Sequence, residues 1–121
     1  MASLPNPEVH IGYTGMRELK WSREEKIIAR KAFDAALRRE LAGVIGKAEK
    51  MAARIEQPSE LWDLEIYLTK RRKEIDRRYD YRYSVLIFVF ADLIRHGQLR
   101  EEELRGLGQE KIDSILGLVR D

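Results

Sequence analysis

The sequence predicts an all-α fold, an elongated helical stem carrying a small helical head, on three observations. Apolar residues recur at spacings of three and four over long stretches, one short run alone reads as a strand, and proline is confined to Pro5, Pro7 and Pro58. A lone strand has no partner for its backbone ladder, so the strand-like run is better placed in a helix. Proline fixes φ and lacks an N–H, so its scarcity after position 7 leaves room for long helices.

Residues 1–20 hold Pro5, Asn6, Pro7, Gly12 and Gly15 without a sustained period, and they predict a flexible N-terminal arm ahead of a single domain over 21–121. Trp21-Ser22-Arg23-Glu24-Glu25 opens the first helix as a capping box, Ser22 accepting from the N–H three residues on and Glu25 reaching back. Phe33, Leu37, Leu41, Val44, Ala48, Met51 and Ile55 then share one face. Gly43 and Gly46 are soft spots or points of close helix approach. A first helix of about 34 residues would be about 50 Å long, more than so short a chain covers on its own. Its stripe therefore calls for a second copy, two subunits pairing through their long helices.

Gln57-Pro58-Ser59 ends that segment, and Ser59 is expected to cap a second helix bearing Leu61, Leu64, Leu68, Ile75 and Tyr79. The strand-like run Tyr83–Phe90 is assigned to a buried helix from Arg82 to about Arg95, closed by Gly97 with Leu99 folding back on its last turn. Glu101, Glu102 and Glu103 suit the start of a short helix. After the Gly106 and Gly108 break, Ile112, Ile115, Leu116 and Val119 stripe a last one.

Composition names no function. Over 121 residues, 23 Lys and Arg against 21 Asp and Glu leave a formal charge of +2, and cysteine is absent. Disulfides, cysteine nucleophiles and thiolate metal sites are thereby excluded, which suits a reducing compartment. The amino terminus lacks the basic and apolar parts of a secretory signal. The longest apolar run, Val85–Ala91, is far short of a membrane span. A cytoplasmic protein is expected.

The search for chemistry returns little. His96 lies one turn after Asp92, which would make at most two metal ligands, and it suits a helix C-terminus better. Gly43-Val44-Ile45-Gly46-Lys47 has neither the spacing nor the flanking strand of a phosphate loop, and it falls inside a helical pattern rather than in a nucleic-acid-clamping loop. The one charge concentration is residues 70–82, with seven basic residues against Glu74, Asp76 and Asp80, and with tyrosines interleaved. Successive residues point all round a helix, so this run is not one nucleic-acid surface, and an acidic protein partner fits it equally well. Trp62, one turn into the second helix, is the best single candidate for an interface contact.

The order Leu61-Trp62-x-Leu64, Arg72-x-Glu74-Ile75-Asp76, Tyr79-Asp80, Arg82, Ser84–Ala91, Gly97 and Glu102-Glu103-Leu104 resembles the fluorescence recovery protein family of cyanobacterial photoprotection, as do Trp21-Ser22, Phe33 and Arg39-Glu40-Leu41 upstream. The resemblance spans residues 21 to 119. It implies a helical homodimer without enzymatic activity or cofactor. Family members bind photoactivated orange carotenoid protein and speed its return to the inactive form, releasing it from the phycobilisome; the carotenoid belongs to that partner. By position it implies a stem patch at the dimer interface of Leu61, Trp62, Glu65, Ile66 and Arg72, and a partner-binding head with Phe88 and Lys111. Glu65-Ile66 departs from the family pattern, which has a His-Asp pair there, so Arg72 loses an aspartate partner that Glu65 could replace only across the dimer. The alternative this leaves is a recovery-protein-like dimer that binds another protein, or, less favoured, nucleic acid.

Overall fold

The computed structural model describes residues 19–120, so the expected arm lies outside the described residues except for Leu19 and Lys20. Four helices follow in order: α1 (Arg23–Ala53), α2 (Pro58–Arg78), α3 (Leu86–Arg95) and α4 (Gln109–Arg120), with a 3-10 turn at Glu101–Leu104 between the last two. No strand occurs among the described residues.

α1 begins at the expected box: Ser22 Oγ accepts from the Glu25 N–H at 3.1 Å, and Glu25 Oε1 accepts from the Ser22 N–H at 3.0 Å. Its 31 residues make it about 46 Å long. Only its first half is sealed. Ala29, Ala32, Phe33 and Ala36 are buried, the alanines being small enough to let neighbouring elements close on the helix, whereas Leu41 and Ile45 remain exposed. Gly43 and Gly46 sit within the helix with no neighbour within 4 Å of a would-be Cβ, so among the described residues they are not points of close approach.

α2 starts at Pro58, one residue before the expected cap. Gln57 occupies the cap position, and the Glu60 carboxylate accepts from the Glu56 and Gln57 N–H groups at 2.9 and 2.7 Å. Pro58 at the first helical position loses nothing, because its missing N–H has no intrahelical acceptor there. α2 runs along α1, burying Ile75 and setting Tyr67 under Lys47 Nζ at 4.8 Å.

The third helix starts at Leu86, four residues later than the expected Arg82. The intervening chain is non-helical because Tyr79, Tyr81 and Tyr83 all turn toward α1, a period of two that only extended backbone provides. Phe33 meets Tyr79 and Tyr81 edge-on at 5.4 and 4.8 Å, Tyr81 meets Tyr83, and Tyr83 meets Trp21. Arg30 lies 4.5 Å over Tyr81. α3 then buries Leu86, Ile87, Val89, Phe90, Ala91 and Leu93. It ends as Gly97 predicts: with φ at 75°, the Gly97 N–H donates to the Ile94 carbonyl and the Gln98 N–H to the Leu93 carbonyl, and Leu99 is buried. Leu104, Leu107 and Ile115 complete the head core. Stem and head are thus one chain path: the tyrosine segment carries the chain from the α1–α2 pair into the α3–α4 unit.

Candidate functional site

The stem residues singled out in the sequence all lie on α2 and face outward. Leu61 is about half exposed, Trp62 and Ile66 are each 62% exposed, and the Arg72 side chain is 84% exposed. Leu61, Glu65, Leu68 and Arg72 recur at spacings of 4, 3 and 4, and Trp62, Ile66, Thr69 and Lys73 form the adjoining row. Leu61, Trp62, Leu64, Glu65, Leu68 and Thr69 enclose a shallow hollow of about 360 Å³. A second hollow of about 460 Å³ continues past Ile66 toward Lys70, Lys73 and Arg77. Every lining residue belongs to α2, so each hollow has one wall. Glu65 accepts from the Thr69 hydroxyl at 3.1 Å and Arg72 Nε stands 3.9 Å from Asp76; the two do not meet.

What holds this face in place is a carboxylate. Glu40 of α1 has a side chain 1% exposed, and its Oε2 accepts from Arg71 Nη2 at 2.7 Å and from Arg78 Nη1 at 2.6 Å. Its Oε1 accepts from the Tyr79 hydroxyl at 2.9 Å, and Arg78 Nε reaches Asp92 of α3 at 3.2 Å. Burial pushes the Glu40 carboxyl up, but hydrogen bonds from Arg71, Tyr79 and Arg78 outweigh it and hold the group below its usual 4.5. Burial, aided by Glu40, pushes the Tyr79 phenol up. One buried anion therefore ties α1 to both ends of the basic run on α2 and, through Arg78, to the head. The sequence reading placed Arg71 and Arg78 in a charge concentration whose residues point all round the helix, and Glu40 gave no signal beyond its place in a family motif.

The two expected head residues part company. Phe88 is half-buried, on the face of α3 that also carries Asp92 and Arg95. Lys111 lies inside the head with its side chain 2% exposed, 3.1 Å from Glu25 Oε1 and over the Trp21 ring at 5.1 Å, so its ammonium is an internal charge and not a surface contact. The Glu25 carboxylate also takes the Gly108 N–H at 2.7 Å, locking the start of α1 to the start of α4. Lys111→Met keeps the side-chain length and leaves Glu25 with backbone donors only. We expect it to cost about 2 kcal/mol, read as a lower urea midpoint; an unchanged midpoint would show that the backbone donors suffice. His96 Nδ1 lies 2.8 Å from the Asp92 carbonyl at the end of α3, and Asp92 itself is engaged by Arg78.

Residues 21–119 match the model of a family described as photoprotection regulator fluorescence recovery protein. The chain belongs to the fluorescence recovery protein family. The fluorescence recovery protein of Synechocystis sp. is 41% identical to it over 103 residues, covering 85% of this chain and 94% of the relative. The solved fluorescence recovery protein of Fremyella diplosiphon superposes with a TM-score of 0.80 at 42% identity, and that of Synechocystis sp. with 0.80 at 40%. Each covers 84% of this chain and all of the solved one. The all-helical architecture is therefore the family's own, and the family is one of regulators rather than enzymes. No described helix is long and apolar enough to cross a membrane.

Proposed function

We propose that this protein is a non-enzymatic homodimeric regulator that binds activated orange carotenoid protein and accelerates its return to the inactive form, ending photoprotective quenching at the phycobilisome. Membership of the fluorescence recovery protein family across residues 21–119 carries this reading. The surfaces suit it. A half-walled apolar row on α2, with Trp62 and Ile66 open to solvent, is what a second copy would cover, and the head offers Phe88 beside charged neighbours. Such a protein needs no cofactor of its own. It accelerates a partner's return by holding the transition state for that return more tightly than the activated state, which contacts alone achieve. It acts in the cytoplasm, where the antenna stands.

The test is the dark decay of the red form of orange carotenoid protein after illumination. The decay rate is expected to rise with added protein and to saturate; a rate unchanged at excess rejects the proposal. One observation favours a second reading, a dimer of the same build with another protein partner. Glu65-Ile66 stands on the exposed stem face where the resemblance implies a His-Asp pair, and Arg72 has only a 3.9 Å contact, to Asp76, among the described residues. A dimer that fails the decay assay would select that reading.

A further inference from the structure

A second surface lies on the other side of α1. Between this helix and the turn after α3 runs a cleft of about 330 Å³, floored by Ile28, Ala32 and Ala35 and rimmed by Lys31, Arg38 and Arg105. Ile28, Lys31, Ala35 and Arg38 recur at spacings of 3, 4 and 3. Phe33, Ala36 and Glu40, which meet the tyrosines and α2, form a row roughly two-fifths of a turn away. The cleft is therefore separate from the stem face.

Its shape is built in. Leu104 and Leu107 anchor the turn in the core, and Gly106 has φ at 107°, a conformation that side chains disfavour. A Cβ on Gly106 would stand 2.4 Å from Ile28 Cδ1, so the turn is pressed against the floor. Its charge is unbalanced. Glu103 is committed to Arg39, whose guanidinium donates to both its oxygens at 2.8 and 2.6 Å, and it also takes the Arg100 N–H. Among the described residues no carboxylate forms an ion pair with Lys31, Arg38 or Arg105. Three cations around an aliphatic floor, opposed there only by Glu102, ask for an anion with an apolar part. The floor offers no aromatic ring on which a nucleobase could stack.

We propose that this cleft docks an extended acidic segment of a protein partner, one aliphatic side chain seated on Ile28, Ala32 and Ala35 and flanking carboxylates over Lys31, Arg38 and Arg105. The inference holds whichever protein supplies the segment, so it stands or falls apart from the decay assay.

The probe is a nonapeptide with one leucine flanked by aspartates and glutamates, titrated into the isotope-labelled full-length protein and followed by amide chemical shifts. Saturable shifts are expected at residues 28–38 and 102–106. Exchanging the peptide's leucine for serine should weaken binding about tenfold, the worth of one seated aliphatic side chain. The double variant Lys31→Glu with Arg38→Glu should weaken it by about tenfold or more, while Lys50→Glu with Arg54→Glu, the same charge change farther along the stem, should change it less than about twofold. Both rim residues are exposed, and Arg105→Glu tests the rim from the turn side should the double variant fail to fold. Shifts spread along the basic run of α2, equal weakening by the two double variants, no saturation, or equal competition by an oligothymidylate of the same charge would each overturn the proposal.

Discussion

Glu40→Leu is expected to destabilise the protein by about 3 kcal/mol at neutral pH, the largest loss of any single exchange in the stem. The carboxylate is fully enclosed and accepts from two guanidinium groups and a phenol. Removing it leaves Tyr79 without its carboxylate, Arg71 with only Glu74 and Arg78 with only Asp92, beside a site built to exclude water, and the two arginines repel one another. Because Arg71 and Arg78 retain some access to solvent, with side chains 22% and 16% exposed, the cost falls at the lower end of that for breaking a buried ion pair. The measurement is the urea midpoint at fixed protein concentration; a loss under about 1 kcal/mol would show that the arginines find water at no penalty.

Acid provides an independent reading of the same group. The folded Glu40 carboxyl holds its proton less tightly than the unfolded chain does, its value lying below the usual 4.5. Its contribution is therefore complete above the unfolded-state value and is lost as pH falls through the folded one. Glu25 and Glu103 are lowered too: burial opposes the shift most strongly at Glu25, where hydrogen bonds from Ser22, Gly108 and Lys111 outweigh it, and Arg39 dominates it at Glu103. Wild-type stability should thus be full above the ordinary carboxylate value of 4.5 and fall as pH drops below it through the lowered folded values, and Glu40→Gln, already weakened at neutral pH, should fall less steeply there. Parallel acid limbs would remove Glu40 as a source of the effect.

These carboxylates mark where the sequence stopped being legible. Helices were readable because their signals are local: the Ser22–Glu25 box, the Pro58 break and the Gly97 stop each act within a few residues. The start of α3 was not, because the reading treated Tyr83-Ser84-Val85 as part of an apolar run, whereas Tyr79, Tyr81 and Tyr83 obey a period of two set by Phe33 some fifty positions earlier. The burial of Glu40, and of Lys111, which the resemblance placed on a partner-binding surface, was hidden for the same reason. A charged residue on an amphipathic helix is ordinarily solvated, and only its distant partners, Arg71 and Arg78 for one and Glu25 for the other, make burial tolerable. On α2 the apolar repeat was legible from spacing and Trp62 from its place in the first turn, whereas Glu65, Ile66 and Arg72 were named only through the family resemblance; among the described residues nothing covers Trp62.

That row carries the second large effect, on assembly. Leu61→Glu is expected to turn the dimer proposed here into monomers, seen by light scattering as a fall from about twice 14.2 kDa to that mass. In the protomer Leu61 is about half exposed, so the exchange leaves the core untouched and the urea midpoint of the monomer should hardly move. In a seam made of Leu61, Trp62 and Leu68 the new carboxylate loses its water and replaces an aliphatic contact on both subunits at once. A penalty of about 3 kcal/mol weakens association by a little over a hundredfold, enough to separate a dimer of micromolar affinity at working concentration. Ile27→Glu is the control, because Ile27 is as exposed as Trp62 but sits on the first turns of α1, away from the α2 row. It should leave the mass at the dimer value. Dimers from Leu61→Glu would move the seam off α2. Monomers from both would show that any added charge suffices, and the one-walled hollows would then say nothing about where two copies meet.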